Sequence, residues 1–478
     1  MRKWWPLVAV CLGAFMLLVD VTIVVVTLPA IGRDLHGSFT DLQWVMDAYA
    51  LALAAGLMAA GSLADRFGRR RTYVAGLALF AVASLGCGLA PNAGTLIAAR
   101  TVQGVGGAAM FASTMALLNL AYQGRDRAVA FGVWGAVTGA AAAAGPLLGG
   151  LLTEHVGWRS IFLVNLPVSV VTVALAVRVL AESRDPRARG VDLPGVVTFT
   201  VSAGAFTYAL MRAGSAGWTS RAPLAWFALG LGSLVAFAIA QRRRRYPMLD
   251  LNLLRRAAFV GVLVTALLVS MAAFAYGVFS SVWLQTTLGL GPVGAGLAML
   301  PMAGAAFVVS AVTARRLVNM PRLAITLGLV LVGVGALMQT RLGAGSSWTA
   351  LVPGLVVCGI GVGTSLPSLN SAAMAVVPVE RSGMAAAAVN TARQLGMALG
   401  IAALGTVFAH RLARHPLTEH GAAAHALSAT LTVAGGVGLA GAVVAVVLIR
   451  MPARPGWGDA PARPREAVRA GQDSPSSV

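Results

Sequence analysis

The residues most able to do chemistry are a few charges placed inside stretches that are otherwise apolar. Asp20 stands in Leu18-Val-Asp-Val-Thr-Ile-Val-Val-Val-Thr-Leu-Pro29. If that stretch is a helix, the carboxyl lies roughly 24 Å from the start of its run, at about 1.5 Å per residue. A carboxyl inside hydrocarbon is costly and marks a functional position by default. It can serve as a group that gains and loses a proton, or as a permanently neutral or paired structural acid. Arg100, in Leu96-Ile-Ala-Ala-Arg-Thr-Val-Gln-Gly-Val-Gly-Gly107, falls at a compatible depth. A guanidinium stays charged, so moving it relative to Asp20 would switch how readily the acid holds a proton. Arg100 could instead snorkel to the surface. Asp47, in Gln43-Trp-Val-Met-Asp-Ala-Tyr49, is a weaker proton-coupling candidate near the end of its run, where water can reach it. Arg393 and Gln394, in Asn390-Thr-Ala-Arg-Gln-Leu-Gly396, fall near mid-depth of another run. Arg393 must face a bundle interior or water. With Asn390 and Gln103 these residues are candidates for lining a substrate cavity, or for structural pairing.

These positions have meaning only if the runs around them are membrane helices, and composition says that they are. Of 478 residues 58% are apolar and 11% charged, against roughly a quarter charged in soluble domains. The chain divides into apolar runs of about 20 residues, enough to cross a bilayer. They are expected at about 4–30, 44–64, 72–90, 96–121, 128–152, 160–181, 193–211, 222–240, 258–283, 293–314, 322–340, 350–376, 383–408 and 427–449. The first is too long for a secretory signal and carries Asp20, so it reads as a retained helix. An all-α polytopic protein of fourteen spans has both termini on one side. The net charge of +20 does not require a nucleic-acid partner. With the N-terminus inside, roughly three-quarters of the basic residues fall on the cytoplasmic side, the positive-inside asymmetry of a protein embedded in a lipid bilayer. Lys3, the single lysine among many arginines, reads as the coding bias of a GC-rich bacterium, whose cell (inner) membrane would then hold the chain.

Gly61-Ser-Leu-Ala-Asp-Arg-Phe-Gly-Arg-Arg-Arg71, with Asp65, Arg66, Gly68 and Arg69, makes a short basic turn between the second and third runs, and it orients the rest. A weak repeat links the outer sets of six runs. Asp126-Arg127 is echoed by Glu380-Arg381, and Gly104-Val-Gly-Gly107 by Gly359-Ile-Gly-Val-Gly363. The organisation expected is 1–182 as one six-helix bundle, 183–246 as two linker helices, 247–450 as a second bundle and 451–478 as a disordered tail. In the fifth run Pro146 removes a backbone donor, and Gly139, Gly145, Gly149 and Gly150 allow close helix approach, which together suit a hinge. Cys11, Cys87 and Cys358 lie in apolar runs at no metal-ligand spacing. No metal site is expected. His410, His415, His420 and His425, with Glu419, cluster in a loop at irregular spacing, too little to support a membrane enzyme.

Together these motifs resemble the major facilitator superfamily, and within it the fourteen-helix drug:proton antiporters. The Gly61–Arg71 turn resembles the superfamily's loop between its second and third helices. Asp20 with Thr22 and Pro29 is similar to the antiporter signature of the first helix. Arg100, Gln103 and Gly104 resemble the fourth-helix motif, and Gly145, Pro146, Gly149 and Gly150 the antiporter motif of the fifth. Trp158-Arg-Ser-Ile-Phe-Leu-Val-Asn-Leu-Pro167 is similar to a further family segment. The resemblance implies a major facilitator fold arranged 6+2+6 and alternating access by rocking bundles. It further implies export of amphipathic small molecules such as antibiotics, driven by protons with no other cofactor, by a chain that works as a monomer. Asp65 and Arg69 would form a cytoplasmic latch for the outward-open state, Asp126 joining as a third member. Some multidrug members carry an acid in the tenth or thirteenth helix; here 293–314 and 383–408 contain none. That disfavours dicationic substrates and, with Arg393, favours neutral, zwitterionic or anionic ones. A dedicated exporter of one endogenous metabolite or lipid is the alternative within the same fold.

Overall fold

A computed structural model describes residues 2–184, 190, 192–244, 247–313, 320–343, 345–377, 382–413 and 421–450. Among the described residues, fourteen helices are long and apolar enough to cross a membrane, in agreement with the runs read from sequence. They are α1 (Trp5–Asp34), α2 (Phe39–Phe67), α3 (Arg69–Gly88), α4 (Ala93–Ala121), α5 (Gly124–His155), α6 (Ser160–Val179), α7 (Leu193–Gly214), α8 (Arg221–Arg243), α9 (Ala257–Thr286), α10 (Pro292–Val312), α11 (Pro321–Met338), α12 (Trp348–Ala375), α13 (Gly383–Ala413) and α14 (Ala422–Leu448). The segment 451–478, expected to be a disordered tail, lies outside the described residues.

Local chemistry sets where helices begin. Ser38 and Asp41 form a capping box at the start of α2: the Ser38 hydroxyl accepts from the Asp41 N–H at 3.2 Å, and the Asp41 carboxylate from the Ser38 N–H at 2.9 Å. Asn92 accepts from the Thr95 N–H at 2.9 Å to cap α4. Such caps satisfy donors that a helix leaves free at its first turn.

Packing repeats between the two ends of the chain. In the first half α4 lies on α2 and α3, and α1 on α5 and α6; in the second, α12 lies on α10 and α11, and α9 on α13 and α14. The echoed glycines do the same work in both halves. A Cβ at Gly104 would sit 2.6 Å from the Tyr49 carbonyl oxygen of α2, and one at Gly359 would strike the Met302 carbonyl of α10. In lipid, where burial of apolar surface gives helices little reason to associate, small residues that let backbones approach supply the contact.

The linker helices have a structural task. α7 lies over the seam where α2 of the first half meets α13 of the second. Tyr208 packs beside Trp44 of α2 at 6.1 Å between ring centroids, and the Leu210 carbonyl accepts from the Thr406 hydroxyl of α13 at 2.9 Å. Ala203 packs with Ala50, Leu51 and Ala398 from both halves. Buried Asp192 caps α7 and ties it to α8, accepting from the Gly195 N–H at 3.0 Å and from Gln241 Nε2 at 2.5 Å.

Hydrogen bonds between the halves lie at mid-depth or toward the face away from the basic Arg66–Arg71 turn. Gln43 of α2 donates to the Ile401 carbonyl of α13 at 3.0 Å, Gln285 of α9 to the Val26 carbonyl of α1 at 2.7 Å, and the Val293 N–H of α10 to Glu154 of α5 at 3.0 Å. Phe39, Phe279 and Phe408 stack between them, with centroids 5.3–6.0 Å apart. At mid-depth Thr391 donates to the Ala54 carbonyl at 3.1 Å. Along the α5–α10 seam contact reaches down to Gly139 beside Phe307, and below it Gly135 and Gly132 face open space. The two halves are therefore joined on the far face and parted along α5 and α10 on the basic face.

Cys11, Cys87 and Cys358 are all buried, so the wild type offers little background to a membrane-impermeant maleimide. A cysteine replacing Gly135 is expected to label from the basic face, and one replacing buried Ala298 of α10 to stay unlabelled. Equal labelling of both would contradict this closure.

Candidate functional site

Asp20 and Arg100 meet in the interior of the first half. Both are almost fully sealed, at 1% and 0% exposure, and Arg100 Nη1 donates to Asp20 Oδ2 at 2.5 Å. Two further donors reach the other carboxylate oxygen: Gln103 Nε2 at 2.9 Å and Asn165 Nδ2 at 3.0 Å. Ser84 Oγ accepts from the same two amides, at 2.8 and 3.4 Å. Arg100 also donates through Nη1 to Gln103 Oε1 at 2.7 Å and through Nε to the Val45 carbonyl at 3.2 Å. Its guanidinium lies over the Tyr49 ring at 4.1 Å and near Phe162 at 5.7 Å.

The donor set decides what this site holds. An ionised carboxylate is acceptor-only, and Asp20 faces three donors. Oδ2 accepts from Arg100 alone, which leaves it room for a proton, and a proton there would cancel the charge balance of the pair. Five of the six helices of the first half (α1, α2, α3, α4 and α6) contribute to the site. The matching layer of the second half is neutral: Tyr276, Gln339 and Cys358 from α9 and the α11–α12 region meet there, Gln339 Nε2 donating to Cys358 Sγ at 3.8 Å. Among the described residues, the first half alone carries a buried ion pair.

Sequence reasoning placed Gln103 at the substrate cavity. That is corrected: it is fully buried and is spent on Asp20, Ser84 and Arg100. Ser84 was not singled out, and Asn165 fell inside the Trp158–Pro167 segment without being given a role. A lone amide in an apolar stretch of α6 was the available signal for Asn165; a serine gives none, because one hydroxyl is readily satisfied by its own helix.

Directly beside Asp20, the same helix forms a glycine seam with α5. A Cβ at Gly145 would strike the Thr22 side chain, and one at Gly149 would lie 2.8 Å from Val26. On the opposite flank of α5, a Cβ at Gly150 would lie 2.6 Å from the Pro292 carbonyl oxygen of α10, and the Pro146 carbonyl stands against Gly296. The motif therefore joins the Asp20 helix on one side to the second half on the other.

On the basic face Asp65 and Arg69 pair at 3.0 Å, one turn apart across the α2–α3 junction. Gly68 between them has φ +111°, and a Cβ there would meet the Glu182 carboxylate. Arg66 lies over Phe67, and Gly61 faces open space. Asp126, expected as a third latch member, is corrected to a different partner. It pairs with Lys3 at 2.6 Å, because the start of α5 lies beside the N-terminal turn. Glu182, which sequence did not indicate, accepts from the Arg70 and Arg71 N–H groups at 3.1 and 3.2 Å, capping α3 from the end of α6.

Asp47 is fully buried with both carboxyl oxygens unpartnered, on the α2 stripe that carries Gln43 toward α13. This corrects the expectation of hydration, since α13 covers it. Arg393 is half-buried; its Nη1 reaches Asn390 Oδ1 only at 3.5 Å, its Nε has no acceptor, and Gln394 beside it is also half-buried. His415, Glu419 and His420 lie outside the described residues.

Residues 10–401 match the Major Facilitator Superfamily. The chain is 38% identical over 485 residues to the puromycin resistance protein pur8 of Streptomyces alboniger, covering 97% of this chain and 96% of that one. It is 37% identical over 405 residues to the multidrug resistance protein Stp of Mycobacterium tuberculosis, covering 84% and 75%. To the tetracenomycin C resistance and export protein of Streptomyces glaucescens it is 32% identical over 415 residues, covering 86% and 77%.

Removing one member of a buried ion pair leaves the other uncompensated, at about 3–5 kcal/mol. Arg100→Ala and Asp20→Asn are each expected to lower thermal stability clearly in detergent, and the double variant to recover part of the loss. Strict additivity of the two losses would show that the pair is not coupled.

Proposed function

The chain belongs to the Major Facilitator Superfamily, and on that premise we propose that it exports amphipathic small molecules, antibiotics among them, in exchange for protons. It is a multi-pass inner-membrane protein and a transporter rather than an enzyme. Export rests on relatives named for resistance and export that align along most of the chain. Proton coupling rests on one observation, the sealed Asp20–Arg100 pair in the first half.

With the basic turns on the cytoplasmic side, the parted face opens to the cytoplasm, where substrate is loaded. Arg393, Asn390 and Gln394 are the polar groups proposed to meet it. The half-buried guanidinium favours a neutral, zwitterionic or anionic compound over a dication, because a second cation would face it without compensation. A proton delivered to Asp20 releases Arg100, and the tie of α1 to α4 is weakened to the neutral Gln103 bond. α1 bears on Gly145 and Gly149 of α5, and α5 bears through Gly150 on α10. A local change at Asp20 is thus passed by backbone contact to the seam between the halves. The Asp65–Arg69 pair spans only the α2–α3 junction in this conformation. It is proposed to engage the second half when the basic face closes. One chain carries both halves, so it works as a monomer, with protons as its coupling ion. The narrower reading, a dedicated exporter of one compound, draws on relatives named for puromycin or tetracenomycin C alone.

The test is efflux of a dye and an antibiotic panel from cells producing the wild type or Asp20→Asn, with and without a protonophore. Export that the protonophore stops and Asp20→Asn abolishes is expected. Full coupled export by Asp20→Asn would move the coupling acid elsewhere, Asp47 being next. Arg393→Gln is expected to weaken export of anionic substrates more than of neutral ones. A uniform loss would instead assign Arg393 to structure.

A further inference from the structure

On the basic face the start of α1 and the end of α6 leave a groove of about 570 Å³, lined by Trp5, Pro6, Leu175, Arg178 and Val179. Its volume is within the range of small-molecule sites. Trp5 is the first residue of α1, and Arg178 the next to last of α6, so both stand at the same membrane boundary.

The wall carrying Trp5 is held rigidly. Tyr122 Oη donates to the Lys3 carbonyl at 3.1 Å and accepts from the Leu7 N–H at 3.0 Å, pinning the residues on both sides. Trp4 is taken up by stacking on Tyr122 at 5.2 Å, which leaves Trp5 to project outward, 44% exposed. The Lys3 ammonium is engaged by Asp126. Arg178 is exposed and makes no hydrogen bond or ion pair among the described residues. The groove thus combines a fixed indole and aliphatic walls facing hydrocarbon with one uncompensated guanidinium at headgroup depth. Indole rings suit the membrane–water boundary, and basic pockets between helices on the cytoplasmic side suit anionic headgroups.

We propose that this groove binds an anionic phospholipid, its phosphate on Arg178 and its upper acyl segments along Trp5, Leu175 and Val179. A soluble anion would meet the guanidinium but leave the apolar walls unused; a zwitterionic lipid would fill the walls but bring its own cation to Arg178. The bound lipid bridges α1, which carries Asp20, to α6, which carries Asn165, and so braces the ion-pair site from the cytoplasmic side. The proposal does not depend on which compound is exported or on proton coupling.

The experiment is native mass spectrometry of the full chain in detergent, titrated with phosphatidylglycerol or with phosphatidylcholine of the same acyl chains. The first phosphatidylglycerol is expected to bind roughly fivefold tighter than the first phosphatidylcholine, the size of effect of one basic residue at an anionic lipid surface. Arg178→Gln is expected to level the two lipids, Arg178→Lys to keep the preference, and Trp5→Ala to weaken both alike. Equal binding of the two lipids by the wild type overturns the proposal, as does a preference that survives Arg178→Gln. A second measurement does not require that variant to fold. Acyl-brominated phosphatidylglycerol is expected to quench wild-type tryptophan fluorescence more than its phosphatidylcholine counterpart, and the difference to vanish in Trp5→Phe. Quenching that is equal for both lipids also overturns it.

Discussion

An ion pair sealed inside a membrane protein is the constraint that the rest of this structure answers to. Neither Asp20 nor Arg100 could remain charged there alone, because both are buried where the local dielectric is low. Their mutual attraction offsets desolvation only if the remaining donors and acceptors are also met. That requirement recruits Gln103, Asn165, Ser84, the Val45 carbonyl and the Tyr49 ring from neighbouring helices. The first half is built around a buried ion pair that must be fully satisfied, and the matching neutral layer of the second half carries no such obligation.

Around this centre helices approach through glycine rather than interlock through bulk. Gly104 of α4 against α2, Gly145 and Gly149 of α5 against α1, and Gly150 of α5 against α10 are positions where a methyl group would collide with a neighbour. Smooth surfaces of this kind hold helices close by dispersion and still permit one to slide on another. α5 touches the Asp20 helix and the second half through adjacent glycines, so it is the element through which the ion pair can bias the seam. α7, by contrast, covers the α2–α13 seam with Trp44–Tyr208 and Thr406–Leu210 contacts. One seam is braced and the other is left free.

The fourteen spans were legible because length and apolarity alone decide whether a helix can cross a bilayer. The depth match of Asp20 and Arg100 followed from counting residues at a fixed rise. What surrounds them was not legible. Asn165 and Ser84 are single polar residues in apolar runs, and which of them meet depends on how helices rotate and pack. Gln103 was misplaced for the same reason: sequence gives its height in the membrane but not its azimuth. Asp126 was drawn to Lys3 by the path of the N-terminal turn, and Glu182 reaches α3 from more than a hundred residues away. Each of these contacts lies between helices, beyond what periodicity along one helix can report.

The strengths of these contacts make a cycle feasible. The bonds joining the halves are single side chains set on backbone groups: Gln43 on Ile401, Gln285 on Val26 and Glu154 on the Val293 N–H. Each is worth about 1 kcal/mol net, somewhat more for the charged one. None needs a matching side chain on the other half, so each can part and re-form without a trapped intermediate. A buried ion pair whose disruption costs several times as much outweighs any one of them. Under the proposed coupling, protonation of that carboxyl changes a contact of the same order as the few bonds across the seam taken together. Among the described residues no buried ion pair joins the two halves, so nothing of comparable strength opposes such a change.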